Sequence, residues 1–398
     1  MVHRIDTEFA TPEGLFTEGD EATSQPATET TDAWLNDIQE NIVRAVELAG
    51  ITPEKGNYSQ LSQAILAALP AQVPGYRNAL INGGFEFWQR GTSFTQVGAG
   101  TVFTSDRWKL LLDVTAGSVT VSRQPLATNA FDLSGEKPRT RFFLKVDNSG
   151  GFTPSGSPDI GVLQRIESAR TLAGRSATLS CKVKANQATT VQVELIQNFG
   201  TGGSPSAAVS MTPVSFNIGT SWEKIAATFA IPDVSGKTFG SNGDDFLTAH
   251  IFTSDDSGVI FDIAEVQLEE GVEASEFEVR PISIEESMCQ RYFEKSYNRY
   301  VTPGTVTNTG AVYGAVPTGT GLRSCRDKFA VPKRSTPAVT WYSPATGDVN
   351  KVRIDSIAAD RAVASQTGEG EGTTGHVVLG ASETNPTFRA HWTADAEL

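Results

Sequence analysis

The chain has 398 residues, a formal net charge of −14 at pH 7 and a hydrophobic content of 39%. This length is enough for two or three domains with buried cores. The strong negative charge argues against nucleic-acid binding, which needs a basic surface, and against electrostatic docking on anionic lipid.

Cysteine usage and targeting signals narrow the class of protein further. Three cysteines, Cys181, Cys289 and Cys325, are too few for a disulfide framework, and no Cys-x-x-Cys pair indicates a zinc site. The N-terminus lacks the apolar core of a signal peptide. No run reaches the roughly 18 apolar residues that a membrane span needs. We expect a protein made in a cytoplasm, with no membrane insertion and no nucleic-acid partner.

The N-terminal part of the chain predicts attachment rather than independent folding. Residues 1–31 are polar, acidic and interrupted by Pro and Gly, and residues 1–80 contain 4 basic and 12 acidic residues. Such a segment orders against a partner or stays a disordered tail. Composition does not separate the two, and we interpret 1–31 as an extended attachment arm.

Residues 32–75 predict a helical segment. Thr31 or Asp32 can cap the first helix, and Gly50 is well placed to end it. Its apolar residues recur at spacings of 3 and 4, which is the seam of a helix that packs on other helices. The seam consists of Leu35, Ile38, Ile42, Ala45 and Ala49. A second helix follows from about residue 59 to 69. Two short helices need a partner, and either further copies or the following domain supply it.

Residues 76–282 predict an antiparallel β-sandwich of the jelly-roll type. Runs with a period of two are separated by Gly, Ser, Asn and Asp, and helical periodicity is nearly absent. The runs are SVTVSRQ, RFFLKVDN, SATLSCKVKA, TTVQVELIQNF, EKIAATFAI, FLTAHIFTS and GVIFDIAEVQLEEG.

The remainder predicts a short helix and a second β domain. Residues 283–299 contain apolar positions at helical spacing and are interpreted as a connecting helix. Residues 300–398 contain the runs TVTNTGAVYGAVP, AVTWYSP, HVVLGA and FRAHWTA. The whole chain is therefore expected to be mainly β, with a helical N-terminal segment and a smaller C-terminal β domain.

Several segments, in this order, resemble those of bacteriophage and prophage tail-fibre proteins. They are WLNDIQENIVRAVELAGI, LINGGFEFWQRGTSF, SDRW, RTLAG, VQLEEG, MCQRYFEKS and the terminal HWTADAEL. The resemblance implies a homotrimeric fibre in the virion tail, fixed to tail or baseplate proteins by its N-terminus. It also implies a carbohydrate-binding-type jelly roll and a distal end that contacts the host surface.

The segment NALINGGFEFWQRG, residues 78–91, admits two interpretations. Leu80 and Ile81 would start a strand, and Asn82-Gly83-Gly84 would supply a turn or bulge. In the first interpretation Trp88 and Trp108 are core residues. In the second they are solvent-facing platforms on which a sugar ring stacks. Sequence does not show which rings face solvent.

A structural calcium ion is the one cofactor candidate, and the fibre interpretation requires no cofactor. Jelly rolls similar to this one often hold calcium between their first and last strands. Glu86 and Asp262 would supply carboxylates there, although calcium needs six to eight oxygen ligands. The alternative is two exposed acids on adjacent strands.

Catalytic signals are weak, so we predict that the protein is not an enzyme. The sequence has no Gly-x-Ser-x-Gly elbow, no His-Glu-x-x-His motif and no phosphate-binding loop. The acidic doublets lie beside Gly or Ser, where solvated acids are expected. The four histidines lie in unrelated contexts, and His250 in TAHIF is interpreted as structural.

The leading hypothesis is a tail fibre that recognises a bacterial surface polysaccharide or another receptor through its distal domains. The candidate receptor contacts, each of which could also pack in a core, are Tyr313, Arg323, Arg326, Trp341, Tyr342 and Trp392. The rivals are a baseplate, collar or head decoration fibre without receptor binding, a polysaccharide depolymerase, and a cellular carbohydrate-binding module.

Overall fold

The computed structural model describes residues 26–68, 76–131, 137–255, 258–315, 322–323, 327–379 and 387–398, together with Glu18 and Ala22. The chain divides into two compact units, Met1–Gly75 and Tyr76–Leu398. Most of the predicted attachment arm, 1–31, lies outside the described residues. Among the described residues, no helix combines the length and the apolar character needed to cross a membrane.

The first unit contains the two predicted helices, α1 (Asp32–Leu48) and α2 (Gln60–Ala68). The hydroxyl of Thr31 accepts a hydrogen bond from the Trp34 amide and caps α1, as predicted. Gly50 adopts φ +74° directly after the helix, a conformation that favours glycine. The two helices contact each other.

The described residues in the first part of the second unit form twelve antiparallel strands. They are β1 (Ser93–Val97), β2 (Gly100–Phe103), β3 (Trp108–Pro125), β4 (Phe142–Asp147), β5 (Phe152–Glu167), β6 (Ser176–Ala185), β7 (Thr189–Asn198), β8 (Val209–Ser210), β9 (Val214–Ile218), β10 (Glu223–Ala230), β11 (Phe246–Thr253) and β12 (Ile260–Glu270). The long strand β3 pairs with β4 through its second half and with β5 through its first half. It therefore belongs to two sheets.

The first sheet has the order β10-β6-β12-β4-β3, and the second has the order β3-β5-β11-β7-β8. Strand β1 adds to the first sheet, and β2 and β9 add to the second. Side chains alternate along each strand, so one row of every strand enters a shared core between the sheets. The mainly β, jelly-roll-like sandwich predicted from the period-two runs is confirmed.

The segment 78–91 differs from the prediction because it forms no strand. It is an irregular, largely buried stretch, and its turn is centred on Asn82, which has φ +58°. The Asn82 side-chain amide donates to the carbonyls of Phe87 (2.9 Å) and Asp106 (3.1 Å). A side chain thus replaces the ladder bonds that a strand would have made. A Cβ on Gly83 would lie 2.1 Å from the Val266 carbonyl oxygen, so this position is restricted to glycine.

The described residues of the C-terminal part form one helix and eight strands. They are α3 (Ile282–Gln290), β13 (Phe293–Lys295), β14 (Val312–Ala315), β15 (Leu322–Arg323), β16 (Ala338–Tyr342), β17 (Lys351–Ile354), β18 (Ala359–Thr367), β19 (His376–Leu379) and β20 (Thr387–Asp395). The predicted connecting helix, 283–299, is shorter than expected, because the chain enters strand β13 at Phe293. This third sheet has the order β13-β20-β17-β18-β19-β15 and encloses its own apolar cluster.

Buried charges join the third sheet to the sandwich. Arg107, at the start of β3, pairs with the carboxylate of Glu397 and places its guanidinium 3.3 Å from the Tyr292 ring centroid. The Lys109 ammonium donates to the Leu398 carbonyl at 2.6 Å. The C-terminal tail therefore packs against the strand that belongs to both sandwich sheets.

Replacing Gly83 by Ala should destabilise the second unit, because the new methyl group would overlap the Val266 carbonyl. We expect a loss of about 1–3 kcal/mol, the usual cost of overpacking a buried site. Gly219→Ala is the control, since a Cβ there meets no atom within 4 Å. Calorimetric melting of both variants checks this, and equal melting temperatures would contradict the proposed close contact.

Candidate functional site

The outer face of the second sheet carries a cluster of polar side chains at its centre. Strand β7 contributes Glu194, β11 contributes His250, β5 contributes Asp159 and β3 contributes Asp113. Their neighbours along each strand enter the core, so the alternation of side chains turns all four outward. The register places His250 directly opposite Glu194, and Asp113 directly opposite Asp159. We call these four residues the polar cluster.

An imidazole lies between two carboxylates in this cluster. His250 Nδ1 lies 3.0 Å from Glu194 Oε1, and His250 Nε2 lies 3.5 Å from Asp159 Oδ1. The His250 ring stacks on Phe252 with centroids 4.6 Å apart and an interplanar angle of 15°. His250 is 2% exposed, so its ring forms the floor of the cluster.

Gly161 makes room for these rings. Gly161 lies on β5, directly opposite Phe252 of β11. A Cβ at position 161 would lie 2.5 Å from Phe252 Cβ and 2.8 Å from His250 Nε2. Any other residue would therefore displace the imidazole from its place between the carboxylates.

The hydrogen bonding of the cluster is incomplete. A carboxylate is an acceptor only, so Glu194 requires the proton of the imidazole on Nδ1. Nε2 faces Asp159 Oδ1 at 3.5 Å. Both atoms are buried, and neither has a hydrogen-bond partner among the described residues. A proton or a ligand donor is needed to satisfy them.

Burial raises the pKa of Asp159 to about 6. His250 acts in the opposite direction, while the nearby carboxylates of Glu194 and Asp113 raise the value further. The cluster is therefore suited to accepting hydrogen bonds from a donor-rich ligand. The imidazole occupies the space between Asp159 and Glu194, so a scissile bond does not fit between these two carboxylates.

The predicted sugar platforms, Trp88 and Trp108, are corrected by the structure, which buries both rings. Trp88 is 5% exposed and Trp108 is 0% exposed. The Trp108 indole donates to the Asn82 carbonyl at 3.1 Å, and the Trp88 indole donates to the Phe85 carbonyl at 2.8 Å. Both residues belong to the core, as the first interpretation held, because the irregular opening segment satisfies their N–H groups.

The two predicted calcium ligands each lie beside a cation. Glu86 pairs with Arg141, and the Asp262 carboxylate lies 3.4 Å from the Lys184 ammonium. Each acid is thus neutralised by its own cation. No group of three or more His, Cys, Asp or Glu side chains within the described ranges is arranged to hold a metal ion.

The predicted receptor contacts have different environments in the third sheet. Trp341 and Trp392 lie directly opposite each other and are 0% and 2% exposed, which corrects their assignment as contacts. Tyr313 is 66% exposed on β14, and Tyr342 is half-buried. Arg323 lies in β15, whereas Arg326 lies outside the described residues.

The predicted oligomerisation seam is partly exposed in the single chain. Leu35 and Ile42 are 51% and 41% exposed, and Ala45 is also exposed. Ile38 and Ala49 are half-buried.

The polar cluster was missed at the level of sequence. The TAHIF context indicates a structural role for His250, and Glu194 is one of many acids in period-two runs. Outward position can be inferred from the alternation in TTVQVELIQN and FLTAHIFT. The cross-strand register that brings the four residues together cannot be inferred from the sequence.

No protein-family model matches the chain. One relative, "Uncharacterized protein StfP" of Escherichia coli K12, is 36% identical over 74 residues, which is 17% of this chain and 35% of that protein. The chain therefore spans about a third of the length of that relative.

Several solved structures are similar to part of the chain. The enzymatically active domain of bacteriophage CBA120 tailspike protein 4 is 17% identical with a TM-score of 0.30, over 49% of this chain and 22% of that one. A family 11 carbohydrate-binding module of Clostridium thermocellum, in complex with a mixed-linked tetrasaccharide, is 12% identical with a TM-score of 0.28, over 46% and 99%. These scores are too low to carry an argument about function.

Asp159→Asn should change how stability depends on pH. The folded pKa of about 6 exceeds the ordinary value of 3.8, so protonation of Asp159 stabilises the fold. That contribution is complete below about pH 4 and is lost as the pH rises through about 6. The variant should therefore gain stability relative to the wild type over this interval, by up to about 3 kcal/mol.

Denaturant unfolding between pH 2 and pH 8 measures this difference. Asp244→Asn is a control for which the change in stability with pH should have the opposite sign, because a hydrogen bond from the Thr201 hydroxyl lowers the pKa of Asp244. That variant should lose stability relative to the wild type as the pH rises. Identical pH profiles for Asp159→Asn and the wild type would contradict the assigned environment of Asp159.

Proposed function

We propose that the protein is a tail fibre that binds a bacterial surface glycan, and that the polar cluster on the second sheet contacts this glycan. The observation that carries the proposal is the polar cluster on the outer face of a sheet, in which two buried atoms, His250 Nε2 and Asp159 Oδ1, have no hydrogen-bond partner among the described residues. An unsatisfied buried polar group costs about 1–3 kcal/mol, which a ligand donor would recover.

The chemistry of the cluster suits a sugar. Each saccharide hydroxyl can donate and accept a hydrogen bond, and the cluster offers several acceptors close together. Glu194 and Asp159 retain 14% and 22% side-chain exposure, so a ligand can reach both carboxylates. Gln192, half-buried on β7 two residues before Glu194, adds an amide that can both donate and accept.

Binding without cleavage agrees best with the geometry. Glycoside hydrolysis requires the scissile bond between two carboxylates roughly 5–10 Å apart. Here the His250 ring is stacked on Phe252 and fills the space between Asp159 and Glu194. The depolymerase rival therefore receives no support from this site.

The fibre assignment rests on the order of the tail-fibre-like segments and on the apolar surface of α1. Leu35 and Ile42 are more than 40% exposed on one side of this helix. Burying each large apolar side chain contributes about 1.5–3 kcal/mol, so association of three copies through this surface would stabilise a trimer. In this proposal the N-terminus binds tail or baseplate proteins, and the fibre is part of the virion tail.

The third sheet remains the alternative place for receptor contact. Tyr313, with 66% exposure, is the predicted contact that best fits this alternative. A baseplate, collar or head decoration fibre without receptor binding is the structural rival. It predicts that no part of the second unit binds host glycan.

Glu194→Gln should weaken binding of the full-length protein to polysaccharide extracted from a susceptible host. The substitution removes a charged acceptor while keeping its size, and we expect about a tenfold loss of affinity. Glu273→Gln, in the exposed turn after β12, is the matched control and should bind like the wild type. Biolayer interferometry measures both. Equal affinities would place the glycan contact elsewhere, and a variant at Tyr313 would then test the third sheet.

Simultaneous replacement of Leu35 and Ile42 by Asp should convert a trimer into a monomer. Both side chains are exposed in the single chain, so the helix can form while the assembly cannot. Light scattering after size exclusion should give a molar mass of three times the 42.5 kDa chain mass for the wild type. The variant should have the mass of a single chain. Arg44→Asp, an exposed position on another side of α1, is the control. A wild-type monomer would contradict the trimer.

A further inference from the structure

A cleft of about 410 Å³ lies on the outer face of the first sheet, on the opposite side of the sandwich from the polar cluster. Strand β6 contributes Lys182 and β10 contributes Lys224, both in outward positions next to core residues. The segment before β4 contributes Lys137 and Arg139. The volume of the cleft is within the range of small-molecule sites. We infer that this cleft is a second binding site, which takes the acidic group of a saccharide.

The arrangement of the two strand lysines favours an anion. Lys182 and Lys224 are directly opposite each other in the β6–β10 register. Like charges in this position destabilise a sheet. Lys182 is 5% exposed, and its ammonium lies 5.1 Å from the Phe131 ring centroid. A bound carboxylate would be attracted by both ammonium groups.

The charge of the cleft is opposite to that of the protein. Among the residues that the structure describes, four cations line it together with two acids, Glu265 and Glu276, which gives these residues a net charge of 4 − 2 = +2. The whole chain has a net charge of −14. A local positive field of this kind concentrates anionic ligands and disfavours neutral ones.

The wall of the cleft is built on a bulge in β12. The register between β12 and β6 shifts between Ala264 and Gln267, and Glu265 adopts φ +52°. The Glu265 carboxylate accepts a hydrogen bond from the Arg139 amide at 2.5 Å. Bulges commonly re-aim side chains beside functional sites, and left-handed φ at a non-glycine residue costs about 1–3 kcal/mol.

The part of the cleft wall formed by residues 274–276 is also held in place. The Lys224 ammonium donates to the carbonyls of Ala274 and Ser275, both at 3.1 Å. Arg139 pairs with Glu276, whose side chain is 79% exposed. An incoming carboxylate can replace this exposed partner at little cost, because surface ion pairs contribute about 0–1 kcal/mol. The site is therefore open to exchange with a ligand.

The inference goes beyond the proposed function, since the two sites lie on different sheets and can fail separately. The probes are glucuronate, inorganic phosphate and glucose, each titrated calorimetrically into the full-length protein. Glucuronate should bind, glucose should not, and added salt should weaken binding because it screens the charges. Binding of phosphate alone would show an anion site without a saccharide preference, and would overturn the assignment to an acidic saccharide.

Lys224→Gln is the main variant, because Lys224 is exposed and its loss leaves the core intact. It should weaken glucuronate binding by about tenfold. Lys182→Gln should have the same effect, and Lys184→Gln, which removes the next outward lysine of β6 outside the cleft, should have none. The inference is overturned if glucuronate does not bind, if glucose binds equally well, or if Lys224→Gln and Lys184→Gln behave alike.

Discussion

The second unit depends on the alternation of side chains along β3, the single strand that belongs to both sandwich sheets. Trp108, Leu110 and Leu112 enter the core from this strand and are fully buried. Asp113 points the other way and faces Asp159. A slip of one residue would move the apolar row to solvent and the acid into the core. The opening segment fixes this register from one end, because the Asn82 carbonyl accepts the Trp108 indole N–H.

Much of the architecture could be predicted from sequence, because half-buried strands repeat with a period of two. The run SATLSCKVKA coincides with β6. Helix α1 begins after its predicted cap Thr31 and ends at Leu48, two residues before the predicted Gly50. Strand β5 was missed because Pro154, Gly156 and Pro158 mask its pattern. The strand predicted to start at Leu80 and Ile81 does not form, although the predicted turn at Asn82 does. The apolar residues of the segment 78–91 are buried, but side-chain and turn hydrogen bonds replace a ladder.

The candidate site could not be predicted, because it depends on contacts between residues far apart in the chain. Glu194 and His250 are 56 positions apart, and only the β7–β11 register places them together. In the third sheet, the sequence does not reveal which aromatic side chains are buried. Its tryptophans suggest a binding surface from sequence, yet Trp341 and Trp392 form a cross-strand pair in a core. Burial, which composition does not reveal, separates the two roles.

The central claim is that the glycan contacts the outer face of the second sheet. Hydrogen–deuterium exchange of the full-length protein, with and without polysaccharide from a susceptible host, tests it most directly. The account predicts slower exchange in β5, β7 and β11 around Asp159, Glu194 and His250, with no change in the third sheet. Protection confined to the third sheet around Tyr313, or no protection in either region, would contradict it.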